Sequence, residues 1–323
     1  MSTPLSPIGG TDLGTSSPAA IGAPTVEVAP GILSETARRF FSNRLSVLGL
    51  IFIILILLAA IFADVLAPAP RDFVFFGHTL EPAGPGHPLG TDAVGHDFLT
   101  RLLYGARTSL LVGITVPLLA ALIGLPMGAA AGWYGERVDM VFLRVIEVMT
   151  AVPLYMMAII LVSVFGAGVD HIIIFLAAIS WVGAARLARA QVVALKPREY
   201  VLSARALGAS DRRLLTQHIL PNAAGPMVVL LVMAIPGIIF VEAGLSVLGL
   251  GVRDPIPSWG KMIAEGAQYA SSHPLLGLIP IFLIAFTLLA FTFVGDGLRD
   301  ALDPNSKVHL TRTATREKAA EMG

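Results

Sequence analysis

Runs of roughly 20 mostly apolar residues, long enough to carry a helix across about 30 Å of hydrocarbon, constrain this chain more than any other feature. Six stretches qualify: residues 47–66, 108–132, 148–168, 171–188, 223–249 and 274–294. The fourth is the weakest, because it is short and runs into Arg186 and Arg189, whose heads can reach an interface while their stems stay apolar. Backbone placed in lipid must satisfy its own hydrogen bonds, and helices do so within one segment. The fold expected is therefore all-α, a polytopic membrane protein with about six transmembrane helices. Charge content agrees: 14% of the residues are charged, against roughly 25% in soluble domains.

Lys and Arg placement orients the spans. With the N-terminus inside, cytoplasmic segments hold Arg38, Arg39, Arg44, Arg137, Arg144, the seven cations between 186 and 213 and the five from Arg299 onward, 17 of the 22 in the chain. Both termini are then cytoplasmic, and the external segments are residues 67–107, 166–170 and 252–273. Residues 1–33, rich in Pro, Ser, Thr and Gly, read as a disordered cytoplasmic tail. Residues 34–107 hold the first transmembrane helix and its external loop, 108–305 a core of five transmembrane helices interrupted by a charged loop at 196–222, and 306–323 a second tail. The net charge of zero speaks against nucleic acid as a partner and leaves membrane lipid as the main surroundings.

Chemistry-bearing patterns are few. Cysteine is absent, which removes disulfides, thiolate metal sites and cysteine nucleophiles. The phosphate-cradling pattern G-x-x-x-x-G-K-[ST] is also missing, since Gly260-Lys261 is followed by Met262. Around Ser246 the nucleophile-elbow pattern fails at Leu248, so Gly244 and Ser246 read as small residues that permit close helix packing. His78, His87 and His96 recur every nine residues without metal-ligand spacing and read as ordinary loop histidines. No catalytic, cofactor-binding or metal-ligating residue is expected on this chain. Glu147 lies three residues after Arg144, which predicts an ion pair on one helix face. Glu242 has no cation within a helical turn, so its partner is expected from another helix, a cavity or another subunit. Glu147, Glu242 and Ser246 are thus the intramembrane polar candidates, for packing or for a solute pathway.

The loop at 196–222 is the informative segment. Its five cations and two acids up to Arg213 would cost about 20 kcal/mol in hydrocarbon, which keeps it out of the membrane. It nevertheless reads as ordered. Tyr200 to Leu207 are good helix formers, Gly208 suits a left-handed cap, Ser210 can cap a second short helix, and Pro221 is expected to separate that helix from the fifth span.

Gly208, Leu220 and Pro221, with Ala204, resemble the cytoplasmic signature of membrane subunits of binding-protein-dependent ATP-binding-cassette importers, although Leu202 and Ser203 stand where that family often has Glu and Ala. The resemblance sharpens to the C-type subunit of the dipeptide, oligopeptide and nickel branch in His87-Pro88-Leu89-Gly90-Thr91-Asp92, Glu242-Ala243-Gly244-Leu245-Ser246, Ser258-Trp259-Gly260 and Gly295-Asp296-Gly297-Leu298-Arg299. His96 departs from it, standing where the branch commonly has Arg. The resemblance implies a type I importer fold and a permease that moves di- or oligopeptides, or a similar small solute, across a bacterial inner membrane. It also implies a homologous second permease, two ATPase subunits that bind ATP and Mg, and an extracytoplasmic solute-binding protein as partners. Tyr200, Ala204, Arg205, Leu207, Gly208, Ala209 and Ser210 would couple to the ATPase through the 199–221 loop. His87, Gly90, Asp92, Asp97 and Trp259 would sit in the external loops, where a delivering protein or a roof over the pathway is expected. A proton-coupled carrier, a membrane enzyme and a scaffold are the rival classes.

Overall fold

A computed structural model describes residues 32–303, so the calls on both tails, 1–33 and 306–323, fall almost wholly outside the described residues. Five helices are long and apolar enough to cross a membrane: Arg44–Ile61, Phe98–Tyr134, Val169–Leu195, Asp211–Val247 and Leu275–Leu302. A sixth candidate, Glu136–Ala151 with Leu154–Phe165, is bent by 77°. The described residues hold no strand, only isolated bridges such as Val74 with His96 in the first connecting loop.

In chain order the elements are α1 (Ile32–Ser42), α2 (Arg44–Ile61), α3 (Ala63–Leu66), α4 (Phe98–Tyr134), α5 (Glu136–Ala151), α6 (Leu154–Phe165), α7 (Val169–Leu195), α8 (Glu199–Ala206), α9 (Asp211–Arg213), a π-helical turn at Leu214–Ile219, α10 (Leu220–Val247), α11 (Trp259–Ala267) and α12 (Leu275–Leu302).

Two prolines act differently from what the sequence predicts. The stretch 148–168 reads as one span, and in the structure Val152 is extended (φ −89°, ψ 125°) and the helix breaks there. Pro153 disfavours a helical residue before it and supplies no N–H of its own. Pro221, expected to end a helix, instead sits in the first turn of α10, where a missing N–H costs least. The π-helical turn just before it, with Leu220 N bonded to Leu215 O, carries the chain from α9 into α10 without a gap.

The centre of the bundle is the α4–α7 pair. Gly124, Gly128 and Gly132 recur every four residues on one face of α4, and a Cβ on them would lie 2.4 Å from Trp181 O, 2.0 Å from Ala185 O and 2.8 Å from Arg189 O. Without a Cβ the two backbones touch, which is how helices associate where lipid removes the hydrophobic incentive. Arg189 closes this seam on α5 by pairing with Asp139, with Nη2 2.6 Å from Oδ2. By contrast α2 and α12 leave Leu48, Ile51, Leu55, Phe282, Phe286 and Leu289 exposed. Such a surface suits lipid or another subunit rather than water.

Candidate functional site

Two polar assemblies lie at opposite ends of α4. The first is the insert between α7 and α10. Helix α8 ends in a Schellman motif: Ala209 N bonds Ala204 O at 3.1 Å and Gly208 N bonds Arg205 O at 3.0 Å, with Gly208 left-handed at φ +86°. The left-handed cap read from Gly208 is present. Ser210 precedes α9 in an extended conformation, but its hydroxyl makes no capping bond, so the break is made by the glycine rather than the serine.

One face of α8 is anchored and the other is bare. Val201 is fully buried against Leu214 and Ile219, with Ala204 and Ala209 half-buried beside it. Tyr200, Leu202, Arg205 and Ser210 are exposed, and Leu207 at the tip is 90% exposed. Apolar side chains held out on a capped helix form a knob for a partner's groove.

The second assembly surrounds Glu242 in α10. Its carboxylate is fully buried and accepts from Ser246 Oγ at 2.8 Å and from Ser109 Oγ of α4 at 3.2 Å. Ser109 Oγ in turn accepts from Trp259 N at 3.2 Å, and Ser246 Oγ lies 3.4 Å from Ser258 Oγ. Ser258 caps α11 by accepting from Lys261 N. One carboxylate thus joins α4, α10 and α11 through hydroxyls, and among the described residues no cation pairs with it. The partner expected from another helix is Ser109, and a second, Ser246, comes from Glu242's own helix.

The loop residues hold structure rather than present it. Asp92 Oδ1 accepts from Val94 N, Gly95 N and His96 N at 2.8–2.9 Å, and Oδ2 lies 2.9 Å from His96 Nδ1. His96 therefore serves the Asp92 turn. Asp97 caps α4 by accepting from Thr100 N at 2.6 Å. Gly90 is left-handed, and a Cβ there would meet Glu81 O at 2.3 Å. His87 Nε2 lies 3.5 Å from Glu81 Oε2. Trp259, expected in an external loop, is the first residue of α11 and fully buried, with Nε1 donating to Leu102 O at 3.1 Å. It anchors α11 and cannot touch a delivering protein. Glu147 pairs with Arg144 at 2.7 Å on an exposed stretch of α5, away from the Glu242 assembly. An apolar cavity of about 520 Å³ opens between α6, α10 and α12, lined by Tyr155, Phe240, Gly244, Val247, Ile281 and Leu288.

Ser109, in the Glu242 assembly, and Trp133, packed against Val201 under the insert, are functional candidates that nothing in their local sequence marks. The Gly124, Gly128 and Gly132 repeat, by contrast, is legible as small residues at helical spacing.

Comparisons with known proteins bear on the family and the fold. A family model described as the binding-protein-dependent transport system inner membrane component matches residues 124–308, and one described as the N-terminal TM domain of oligopeptide transport permease C matches residues 32–83. The oligopeptide transport system permease protein OppC of Bacillus subtilis (strain 168) is 41% identical over 266 residues, 82% of this chain and 87% of its own length. The dipeptide transport system permease protein DppC of the same organism is 38% identical over 268 residues, 83% of this chain and 84% of its own. Among solved structures, one of the MetNI methionine ABC transporter in inward facing conformations aligns with a TM-score of 0.52 at 18% identity, covering 62% of this chain and 96% of that one. That last likeness is one of fold.

Proposed function

Because the chain belongs to the binding-protein-dependent transport system inner membrane component family, we propose that it is a permease subunit of an ATP-driven importer for dipeptides or oligopeptides. It works beside a homologous second permease, two ATPase subunits that carry ATP and Mg, and an extracytoplasmic solute-binding protein. The insert faces the cytoplasm and the ATPases, and α11 with the first connecting loop faces outward. The observation that carries this reading is the insert itself: two helices broken at a left-handed Gly208, with Leu207 held out at the tip. A slack linker would join α7 to α10 equally well, whereas an ordered knob is useful when a partner grips it and moves the helices behind it as a rigid body.

The rest of the chain fits the role. Tyr200, Leu207 and Ser210 on the bare side meet the ATPase, Arg205 turns its guanidinium back over the Trp133 ring, and Gly208 sets the angle between the bare side and α9. The apolar cavity beside Gly244 lies where a second permease or the solute would complete the pathway. Gly208→Val tests the reading, since a β-branched residue cannot hold a left-handed cap without strain. In vesicles reconstituted with the subunits that co-purify with the chain, Gly208→Val should insert normally yet lose ATP-dependent uptake of labelled peptide, with the ATPase lost or unstimulated. Wild-type uptake and stimulation in this variant would sink the coupling role. Uptake driven by a proton gradient without ATP would place the protein among secondary carriers instead.

A further inference from the structure

Trp133 lies in the last turn of α4 and is only 3% exposed, in a cluster with Ala129, Val192, Val201, Leu214 and Ile219. Two cations stand over its ring: Lys196 Nζ at 5.3 Å and Arg205 Cζ at 5.0 Å from the ring centroid. Lys196 follows the end of α7 and also donates to Trp133 O at 2.6 Å, satisfying a carbonyl that the end of α4 leaves without an intrahelical partner. Arg205 lies in the last turn of α8. A single indole therefore gathers the ends of α4 and α7 and the insert.

Beyond that apolar cluster and the Lys196 bond, little else binds the insert to the spans. Among the described residues no hydrogen bond or ion pair runs from the side chains of Glu199–Ala206 to α4 or α7. The buried Val201, Leu214 and Ile219 and the Arg205 guanidinium over Trp133 make that connection. A cation over an indole is attracted most strongly where water is excluded, and this ring is almost fully enclosed. What the ring receives, α4 can carry: it is locked to α7 by Gly124, Gly128 and Gly132 and runs about 36 Å from Trp133 to Ser109, which meets Glu242 and Trp259.

We propose that Trp133 is a positioning residue for transport, the contact through which movement of the insert enters α4. The inference rests on the importer reading above and adds to it the route by which the insert acts. It requires the aromatic face and the Arg205 charge together, rather than apolar bulk alone.

The test uses the complete complex reconstituted in vesicles, with labelled peptide taken up and ATP hydrolysed measured together. Trp133→Phe keeps a weaker face and should stay within about threefold of wild type in peptide per ATP, whereas Trp133→Leu, of apolar bulk but with no face, should fall about tenfold while its ATPase stays bound and active. Arg205 is exposed, so Arg205→Leu leaves folding intact and should show the same loss even where Trp133→Leu fails to assemble. The double variant should be little worse than either single one, as two halves of one contact require. A wild-type ratio in Arg205→Leu, equal losses in the Phe and Leu variants, or additive losses in the double variant would overturn the proposal. A wild-type complex that takes up peptide without ATP would overturn the importer reading instead.

Discussion

Glu242 shows how far one residue can be read. A carboxylate inside an apolar span must be held by protein, water or a cation, and the absence of any nearby Lys or Arg leaves its partner to come from elsewhere. The structure supplies hydroxyls, from Ser246 one turn along and from Ser109 in α4. Ser246 was within reach of sequence reasoning, because residues four apart share a helix face. Ser109 was not, since 133 positions separate it from Glu242 and no periodic signal joins them. The replacement series follows from the geometry. Glu242→Gln keeps an oxygen for a serine and should retain most of the stability, whereas Glu242→Leu takes the acceptor from the protons of two buried hydroxyls, at about 1–3 kcal/mol each. Thermal unfolding in detergent should separate the two variants clearly, with the glutamine form nearer wild type. Coincident melting curves would mean that the serines find other partners and that the carboxylate contributes nothing to holding α4, α10 and α11 together.

At the scale of elements, apolar length and helix spacing were legible and proline behaviour was not. The spans near residues 108–132, 171–188, 223–249 and 274–294 appear within helices that run further at one or both ends, because hydropathy reports the lipid-crossing part and not the whole helix. Pro153 and Pro221 look alike in sequence, yet one breaks a span and the other opens α10, and the difference lies in whether neighbouring backbone can absorb the missing N–H. Glycines divide in the same way. A Cβ on Gly128 would lie 2.0 Å from Ala185 O and 2.7 Å from Ala185 C, both backbone atoms that cannot turn aside, whereas a Cβ on Gly183 meets nothing within 4 Å. Gly128→Ala should therefore push α4 from α7 and cost about 1–3 kcal/mol, as overpacking does. Gly183→Ala should be neutral or slightly stabilising, since alanine is the better helix former. Folded yield and melting temperature of the two variants, side by side, check the seam, and equal behaviour would show that α4 and α7 can separate at little cost.

For the whole molecule, α4 fixes which parts lie together. Its first turn is capped by Asp97 and joins the first connecting loop, and Leu102 receives the Trp259 indole, so that loop and α11 share one end of the bundle. Its last turn carries Trp133 under Lys196 and Arg205, so the insert lies at the other end. This arrangement holds whichever way the protein is threaded, and the cation count then supplies the direction. The insert end gathers Arg186, Arg189, Lys196, Arg198, Arg205, Arg212 and Arg213, whereas the opposite end has Arg71, Arg101, Arg107, Arg253 and Lys261, and the preference of Lys and Arg for the inner side predicts that the richer end is cytoplasmic. Reporter fusions after Ala83 and near Gly266 should accordingly both read as external, and fusions after Ser210 and Lys307 as cytoplasmic. Two failures would carry different meanings. Opposite signals from Ala83 and Gly266 would contradict the fold, because the Trp259 indole could not then reach Leu102 across a membrane. Matched but inverted signals at all four sites would leave the fold intact, yet would turn the insert outward, away from any ATP, and remove its role in coupling.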